Sequence, residues 1–464
     1  MKKLATVVIL VMAFYGSFSQ DITGQWNGAL KIQGTQLRIV FNISKTLSGY
    51  TATMDSPDQG AKGIPVTAIT FGNSKLKLEI TTIKFEYNGE LKGKIFEGSM
   101  KQNGMEFPMN LSKETIEKQT FVRPQEPKKP YPYYSEEVTF QNPSANITLA
   151  GTLTLPRKEG KFPAVILVTG SGPQNRDEEI MGHKPFLVLS DFLTRNGIAV
   201  LRCDDRGVGQ SKGIFKVAVT EDFASDAESA VAYLKTRKEI TKIGIAGHSE
   251  GGIVAPLVAA KSKDVSFIVM LAGTGLRGDK ILLLQQELIA RASGGSEADI
   301  KKTKEDNTKV FEMVIKSKSD VVLKEDLKKF LAETVKSLPA EGKPKGMSDE
   351  EFISLELAQL INPWMLNFIR YDPVQALEKV KCPVLAINGE KDLQVPSKEN
   401  LPAIEKAIKK AGNKNVTIKE FKGLNHLFQE CKTGLPAEYS EIEQTFSPVA
   451  MEEISKWILQ QTKQ

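Results

Sequence analysis

The segment Ile243-Gly244-Ile245-Ala246-Gly247-His248-Ser249-Glu250-Gly251-Gly252 restricts the possible folds of this chain more than any other stretch. An apolar run with strand character enters Gly-x-Ser-x-Gly, and small and apolar residues at 253–260 leave it as a helix. A strand that becomes a helix within so few residues must bend sharply. Gly247 and Gly251 have no Cβ to collide with the neighbouring strand and helix at such a bend. The serine between them then stands at a helix N-terminus, whose partial positive charge favours an anion. This arrangement predicts a nucleophile at Ser249, raised above the end of a buried strand.

The flanking sequence supplies that strand with neighbours. Residues 164–169, 198–201, 267–272 and 384–387 are short, nearly all-apolar runs, and helical stretches such as 223–236 separate most of them. Strands that are apolar on both faces belong to a parallel sheet covered by helices on each side. The segments at 136–140 and 147–155 alternate instead, so residues 135–464 are expected to form a mixed, mostly parallel, doubly wound α/β sheet. Between about 274 and 379 only helical patterns occur, at 282–291, 300–315, 323–335 and 350–360. An insertion there would stack over the carboxyl ends of the strands, where open α/β sheets bind ligands. It reads as a helical cap.

Residues 21–112 follow another period. Leu37-Arg38-Ile39-Val40-Phe41 and Leu76-Lys77-Leu78-Glu79-Ile80 alternate apolar and polar, and Gly72-Asn73, Asn88-Gly89 and Asn103-Gly104 mark turns. Seven or eight antiparallel strands are expected, as a small all-β, barrel-like domain with Trp26 plugging one end. Residues 113–134, with Pro124, Pro127, Pro130 and Pro132, read as a stiff linker. Residues 1–20 read as a signal peptide: Lys2 and Lys3, an apolar stretch at 4–15, then Gly16, Ser17 and Ser19. An exported protein, periplasmic or extracellular, follows. No later run approaches the roughly 18 apolar residues of a membrane span. Cys203, Cys382 and Cys431 are too few and too odd in number for a disulfide framework, and no Cys/His cluster has metal-ligand spacing. The net charge of +6 is spread among acidic residues without a basic block, which argues against nucleic acid.

A serine hydroxyl needs a base, and the chain has three histidines: His183, His248 and His426. His248 sits on the elbow, aimed away from its neighbour's hydroxyl, and is read as packing or bonding beneath the site. His426 follows a strand at 417–421 and a loop, and it alone comes after an acid at a strand end. That acid is Asp392, in Asp-x-x-Val-Pro after a Gly turn. Its task is to hold the imidazole in one tautomer. Its rivals are Glu390 and Asp372. An oxyanion needs two backbone donors. One is the amide of Glu250, and the second is expected from Ser171 or Gly172, because Pro173 has no N–H. Asp205 and Arg206 read as salt-bridged scaffold near the site.

Gly170-Ser171-Gly172-Pro173, Asp205-Arg206-Gly207-x-Gly209-x-Ser211, Gly247-His248-Ser249-Glu250-Gly251-Gly252, Asp392-x-x-Val395-Pro396 and Asn425-His426 together resemble the α/β-hydrolase superfamily. More narrowly they resemble exported bacterial carboxylesterases labelled as serine aminopeptidase-like hydrolases. The resemblance covers about residue 135 to the C-terminus and implies Ser249 as nucleophile, Asp392 as acid and His426 as base, in the superfamily's chain order. It implies a secreted hydrolase of small-molecule carboxylic esters, of short acyl chain, needing no cofactor and no metal. The oxyanion loop lacks the His-Gly start common in the superfamily. Two alternatives stand beside this reading: a peptidase, aminopeptidase or amidase using the same three residues, and a non-catalytic protein that binds glycan or lipid.

Overall fold

The computed structural model describes residues 21–463 except 33–34, 48, 103–104, 119–121 and 338–347, so the signal peptide expected at 1–20 lies outside the described residues. The chain divides near residue 119 into two compact units.

The first unit is a single antiparallel sheet of ten strands. In chain order these are β1 (Gly24–Ile32), β2 (Thr35–Thr46), β3 (Gly49–Ser56), β4 (Ala61–Pro65), β5 (Ala68–Gly72), β6 (Lys75–Ile80), β7 (Phe85–Lys92), β8 (Ile95–Gln102), β9 (Met105–Pro108) and β10 (Leu111–Ser112). They are laid out β4-β3-β2-β1-β10-β8-β7-β6-β5, with β9 paired to β8, in a half-barrel. The count exceeds the seven or eight expected because β9 and β10 are very short strands separated by Met109 and Asn110. Alternation buries one face: Phe41, Leu76, Leu78, Tyr87 and Phe96 form its core. Trp26 belongs to that core, with its ring edge-on to Phe96 and its Nε1 donating to Ile22 O at 2.7 Å.

The second unit holds a sheet of eight strands. They are β11 (Tyr134–Asn142), β12 (Ile147–Leu155), β13 (Phe162–Val168), β14 (Ala199–Cys203), β15 (Ile240–His248), β16 (Val265–Leu271), β17 (Val384–Gly389) and β18 (Val416–Phe421). Their spatial order is β11-β12-β14-β13-β15-β16-β17-β18. The β11–β12 and β12–β14 ladders are antiparallel, and all later ladders are parallel. The alternating strands thus begin the sheet and the all-apolar ones fill it. The helices are α1 (Pro185–Arg195), α2 (Thr220–Lys235), α3 (Gly251–Lys261), α4 (Gly278–Ala292), α5 (Glu297–Lys316), α6 (Asp320–Ser337), α7 (Asp349–Leu360), α8 (Pro363–Arg370), α9 (Val374–Leu377), α10 (Ser397–Lys410) and α11 (Pro448–Thr462). Two apolar clusters, one on each face of the sheet, join the strands to α2, α3 and α10 and to α1 and α11. Helices α4 to α9 occupy the interval between β16 and β17, and α4 to α8 share a core of their own around Phe311, Val314, Leu327 and Ile369. Cys203, Cys382 and Cys431 are free, partly buried thiols.

The Pro-rich stretch is bound to the second unit by its side chains. The Arg123 guanidinium donates to the carbonyls of Met181, Gly182, Ser440 and Ile442 at 2.8–3.2 Å. Gln125 accepts from the amides of Thr445 and Phe446 and donates to Phe446 O.

Candidate functional site

Strand β15 ends at His248 and α3 begins at Gly251, so the turn is made by Ser249 and Glu250 alone. Ser249 has φ of 52°, a left-handed conformation that costs a residue with a Cβ about 1–2 kcal/mol. The bend is held by Ser249 N–H donating to Leu271 O at 2.8 Å and by Gly252 N–H donating to Ser249 O at 2.9 Å. The two motif glycines are sterically required. A Cβ on Gly247 would lie 1.8 Å from Gly251 O, and one on Gly251 would lie 2.2 Å from Val168 O.

His426 is buried on the loop after β18, which Asn425 shapes by accepting the amides of Leu427 and Gln429. His426 Nδ1 lies 2.8 Å from Asp392 Oδ2, and Asp392 Oδ1 accepts the amides of Gln394 and Val395. The aspartate is therefore fixed by its own loop before it meets the imidazole.

Ser249, Glu250, His426 and Ser171 line one cavity of about 320 Å³. The cap contributes Ile281, Leu282 and Gln285 from α4 and Trp364 and Phe368 from α8. Ile253, Val395 and Leu427 complete an apolar wall, and no Lys or Arg is among the lining residues. The Glu250 carboxylate is buried here. It accepts from Thr220 Oγ1 at 2.7 Å and from Trp364 Nε1 at 2.9 and 3.0 Å, so the cap is tied to the elbow. Burial pushes this carboxyl above the usual range, against the hydrogen bonds from Thr220, Trp364 and Ser171.

The loop after β13 passes over the serine: a Cβ on Gly170 would sit 3.2 Å from Ser249 Cβ. Gly170 N–H donates to Glu178 Oε1 at 2.8 Å, and that oxygen also meets His248 Nδ1 at 2.9 Å. Asp205 pins the same loop by accepting from Thr169 Oγ1 and Gln174 N, and burial pushes its carboxyl up to about 7. Arg176 anchors the loop's far end on Asp204 with a two-pronged ion pair.

The chain is similar to several known proteins. The family described as Serine aminopeptidase, S33, matches residues 185–331. Esterase EstD of Thermotoga maritima is 27% identical over 330 residues, covering 71% of this chain and 70% of that one. Among solved structures, esterase Pf2001 of Pyrococcus furiosus is 16% identical, covers 71% of this chain and 93% of its own, and gives a TM-score of 0.42. Est1E of Butyrivibrio proteoclasticus is 18% identical, with coverage of 70% and 98% and a TM-score of 0.41. The second unit has an α/β-hydrolase fold.

Other expected residues of this hydrolase lie elsewhere. Of the two loop residues considered as oxyanion donors, Ser171 lines the cavity and Gly172, at φ 99°, is not among its lining residues. Glu390 accepts Gly423 N–H, joining the loops after β17 and β18, and Asp372 accepts Val374 N–H in a local turn. His183 is fully buried, with Nδ1 2.9 Å from Thr445 Oγ1 and Nε2 2.7 Å from Tyr439 O. Arg206 is paired with Asp222 and Asp226 of α2, whereas Asp205, expected to be salt-bridged, instead holds the loop by neutral donors. Sequence reasoning gave no role to Glu178, Thr220 or Trp364. Their partners are 70, 30 and 114 residues away, and no spacing rule reaches across such separations.

Proposed function

We propose that this α/β-hydrolase is an exported serine esterase that cleaves carboxylic esters of short acyl chain through an acyl-enzyme on Ser249. The observation that carries the reading is the 2.8 Å contact between His426 Nδ1 and Asp392 Oδ2, with His426 and Ser249 lining one cavity. Asp392 holds the Nδ1–H tautomer, leaving Nε2 to take the serine proton as Oγ attacks the acyl carbon. The amides of Glu250 and Ser171 receive the developing oxyanion, aided by the N-terminus of α3. His426 returns the proton to the leaving alcohol, and water repeats the cycle on the acyl-enzyme. Export is inferred from Lys2, Lys3 and the apolar stretch behind them. No helix among the described residues is long and apolar enough to cross a membrane.

The test is a panel of esters of graded acyl length beside aminoacyl anilides, with S249A as control. Turnover of short esters that disappears in S249A supports the reading. Preference for the anilides favours an aminopeptidase, for which Glu250 offers a carboxylate in the cavity. Ester turnover undiminished in folded S249A refutes the assignment.

A further inference from the structure

The site contains a second carboxylate–imidazole pair that the proposed chemistry does not use. Glu178 and His248 are both buried, at 3% and 6% exposure. Glu178 Oε1 accepts Gly170 N–H at 2.8 Å and meets His248 Nδ1 at 2.9 Å. The other ring nitrogen, Nε2, faces the carbonyl oxygen of His426 at 2.9 Å. A backbone carbonyl can only accept, and a carboxylate that already receives an amide N–H is an acceptor as well. The ring must then present N–H at both nitrogens, which makes His248 an imidazolium. Burial opposes that charge, but the Glu178 carboxylate, the His426 carbonyl and Asp392 together hold the His248 proton affinity above its ordinary value.

The result is a charge-assisted bridge spanning three segments. It begins at Gly170, on the loop that passes over Ser249. It crosses the last residue of β15, next to the serine in the chain. It ends on the backbone of His426 itself, whose ring packs against the His248 ring at a centroid distance of 4.8 Å. Asp205, from the loop after β14, fixes the first loop, and Asn425 fixes the last from within it. The Glu178–His248 bridge joins the two loops beside the serine, whereas Arg123 and His183 join them farther along, at Met181–His183 and Tyr439–Thr445.

We propose that Glu178 and His248 are positioning residues that hold the oxyanion loop and the His426 loop in one register over Ser249. The proposal rests on the serine esterase reading above. Glu178 Oε1 and both ring nitrogens of His248 are taken up by each other, by Gly170 N–H and by the His426 backbone, so the effect of the pair lies in the geometry of the transition state. Misplacement of a catalytic group by about 1 Å can cost on the order of 100-fold in rate.

The experiment measures kcat and KM on the best short ester for E178Q, H248N and the double variant, together with inhibition by a trifluoromethyl ketone carrying the same acyl group. The ketone forms a tetrahedral adduct on a serine and reads oxyanion geometry directly. E178Q is isosteric and keeps an acceptor for Gly170 N–H, so it carries the test if H248N does not fold. The expected result is a fall in kcat of about 10- to 100-fold with KM within about twofold, and a matching loss of ketone affinity. The double variant should be no worse than the poorer single variant, because one bridge is broken in each. Wild-type kcat and ketone affinity in a folded E178Q overturn the proposal, as do losses that appear only in KM or that multiply in the double variant. If S249A retains turnover, the esterase reading itself has failed. If S249A is inactive while E178Q matches the parent, only the positioning role has failed.

Discussion

Asp392 meets His426 with one oxygen only: Oδ2 lies 2.8 Å from Nδ1, while Oδ1 receives the amides of Gln394 and Val395, each at 2.8 Å. D392N keeps the acceptor for those amides and turns an amide NH₂ toward the imidazole. The ring must then accept at Nδ1 and carry its proton on Nε2, where the base is needed. The expected loss in kcat is about 10⁴-fold, with KM and melting temperature close to the parent's. Steady-state kinetics beside a thermal melt check this, and a loss below tenfold would remove Asp392 from its assigned role.

The strain at Ser249 gives a second prediction. At φ 52° alanine is as unfavourable as serine, whereas glycine adopts this region freely. S249A and S249G should both be inactive, and S249G should melt above S249A even though glycine makes the unfolded chain more flexible. The left-handed penalty of about 1–2 kcal/mol exceeds that entropic cost of roughly 0.5–1 kcal/mol. Thermal melts of the two inactive variants decide it: S249A melting above S249G would mean that the turn stores no strain.

His183 should contribute stability and no chemistry. Its ring nitrogens are occupied by Thr445 and the Tyr439 carbonyl, and burial holds its pKa down to about 4. The unfolded chain binds this proton near pH 6.5 and the folded one does not. The stability contributed by the neutral ring is therefore present above pH 6.5 and lost as pH falls toward 4, by about 3 kcal/mol. H183Q should keep most of the parent's kcat and melt lower at pH 7.5, and the gap should narrow on going to pH 5. H426A should lose turnover instead. A gap that widens with acid contradicts the buried neutral ring.

The legible part of this protein was whatever is written in short-range pattern. Alternation in β2 and β6, unbroken apolar runs in β13 to β17, and the Gly-Ser-Gly turn each follow from residues a few positions apart. Asp392 and His426 stand out through chain order after strands. Glu178 was not: in sequence it is the middle of three acidic residues, and only folding brings it to His248, 70 positions away. The cap behaved likewise. Its amphipathic patterns announced helices, but nothing in them singled out Trp364 as the residue that reaches Glu250. Prolines at 124–132 describe a stiff backbone and are silent on where Arg123 and Gln125 send their donors.

Those two side chains change where the chain should be cut. The β-domain has no histidine, since none precedes His183, and so no candidate base for a nucleophile. A protein beginning at Val122 keeps Arg123 on the carbonyls of Met181, Gly182, Ser440 and Ile442 and Gln125 on Thr445 and Phe446. These contacts knit the segment before α1 to the segment before α11, the same two segments that His183 joins through Tyr439 and Thr445. A protein beginning at Tyr131 leaves five carbonyls and two amides without those partners. Each exposed or unsatisfied group costs on the order of 1 kcal/mol. Both truncated proteins should hydrolyse the smallest active ester, and the one beginning at Tyr131 should melt several degrees lower. R123A in the full chain should reproduce part of that decrease. Loss of turnover in a folded protein beginning at Val122 would show that the β-domain takes part in catalysis, and equal melting temperatures for the two truncations would show that Arg123 and Gln125 do not brace the hydrolase unit.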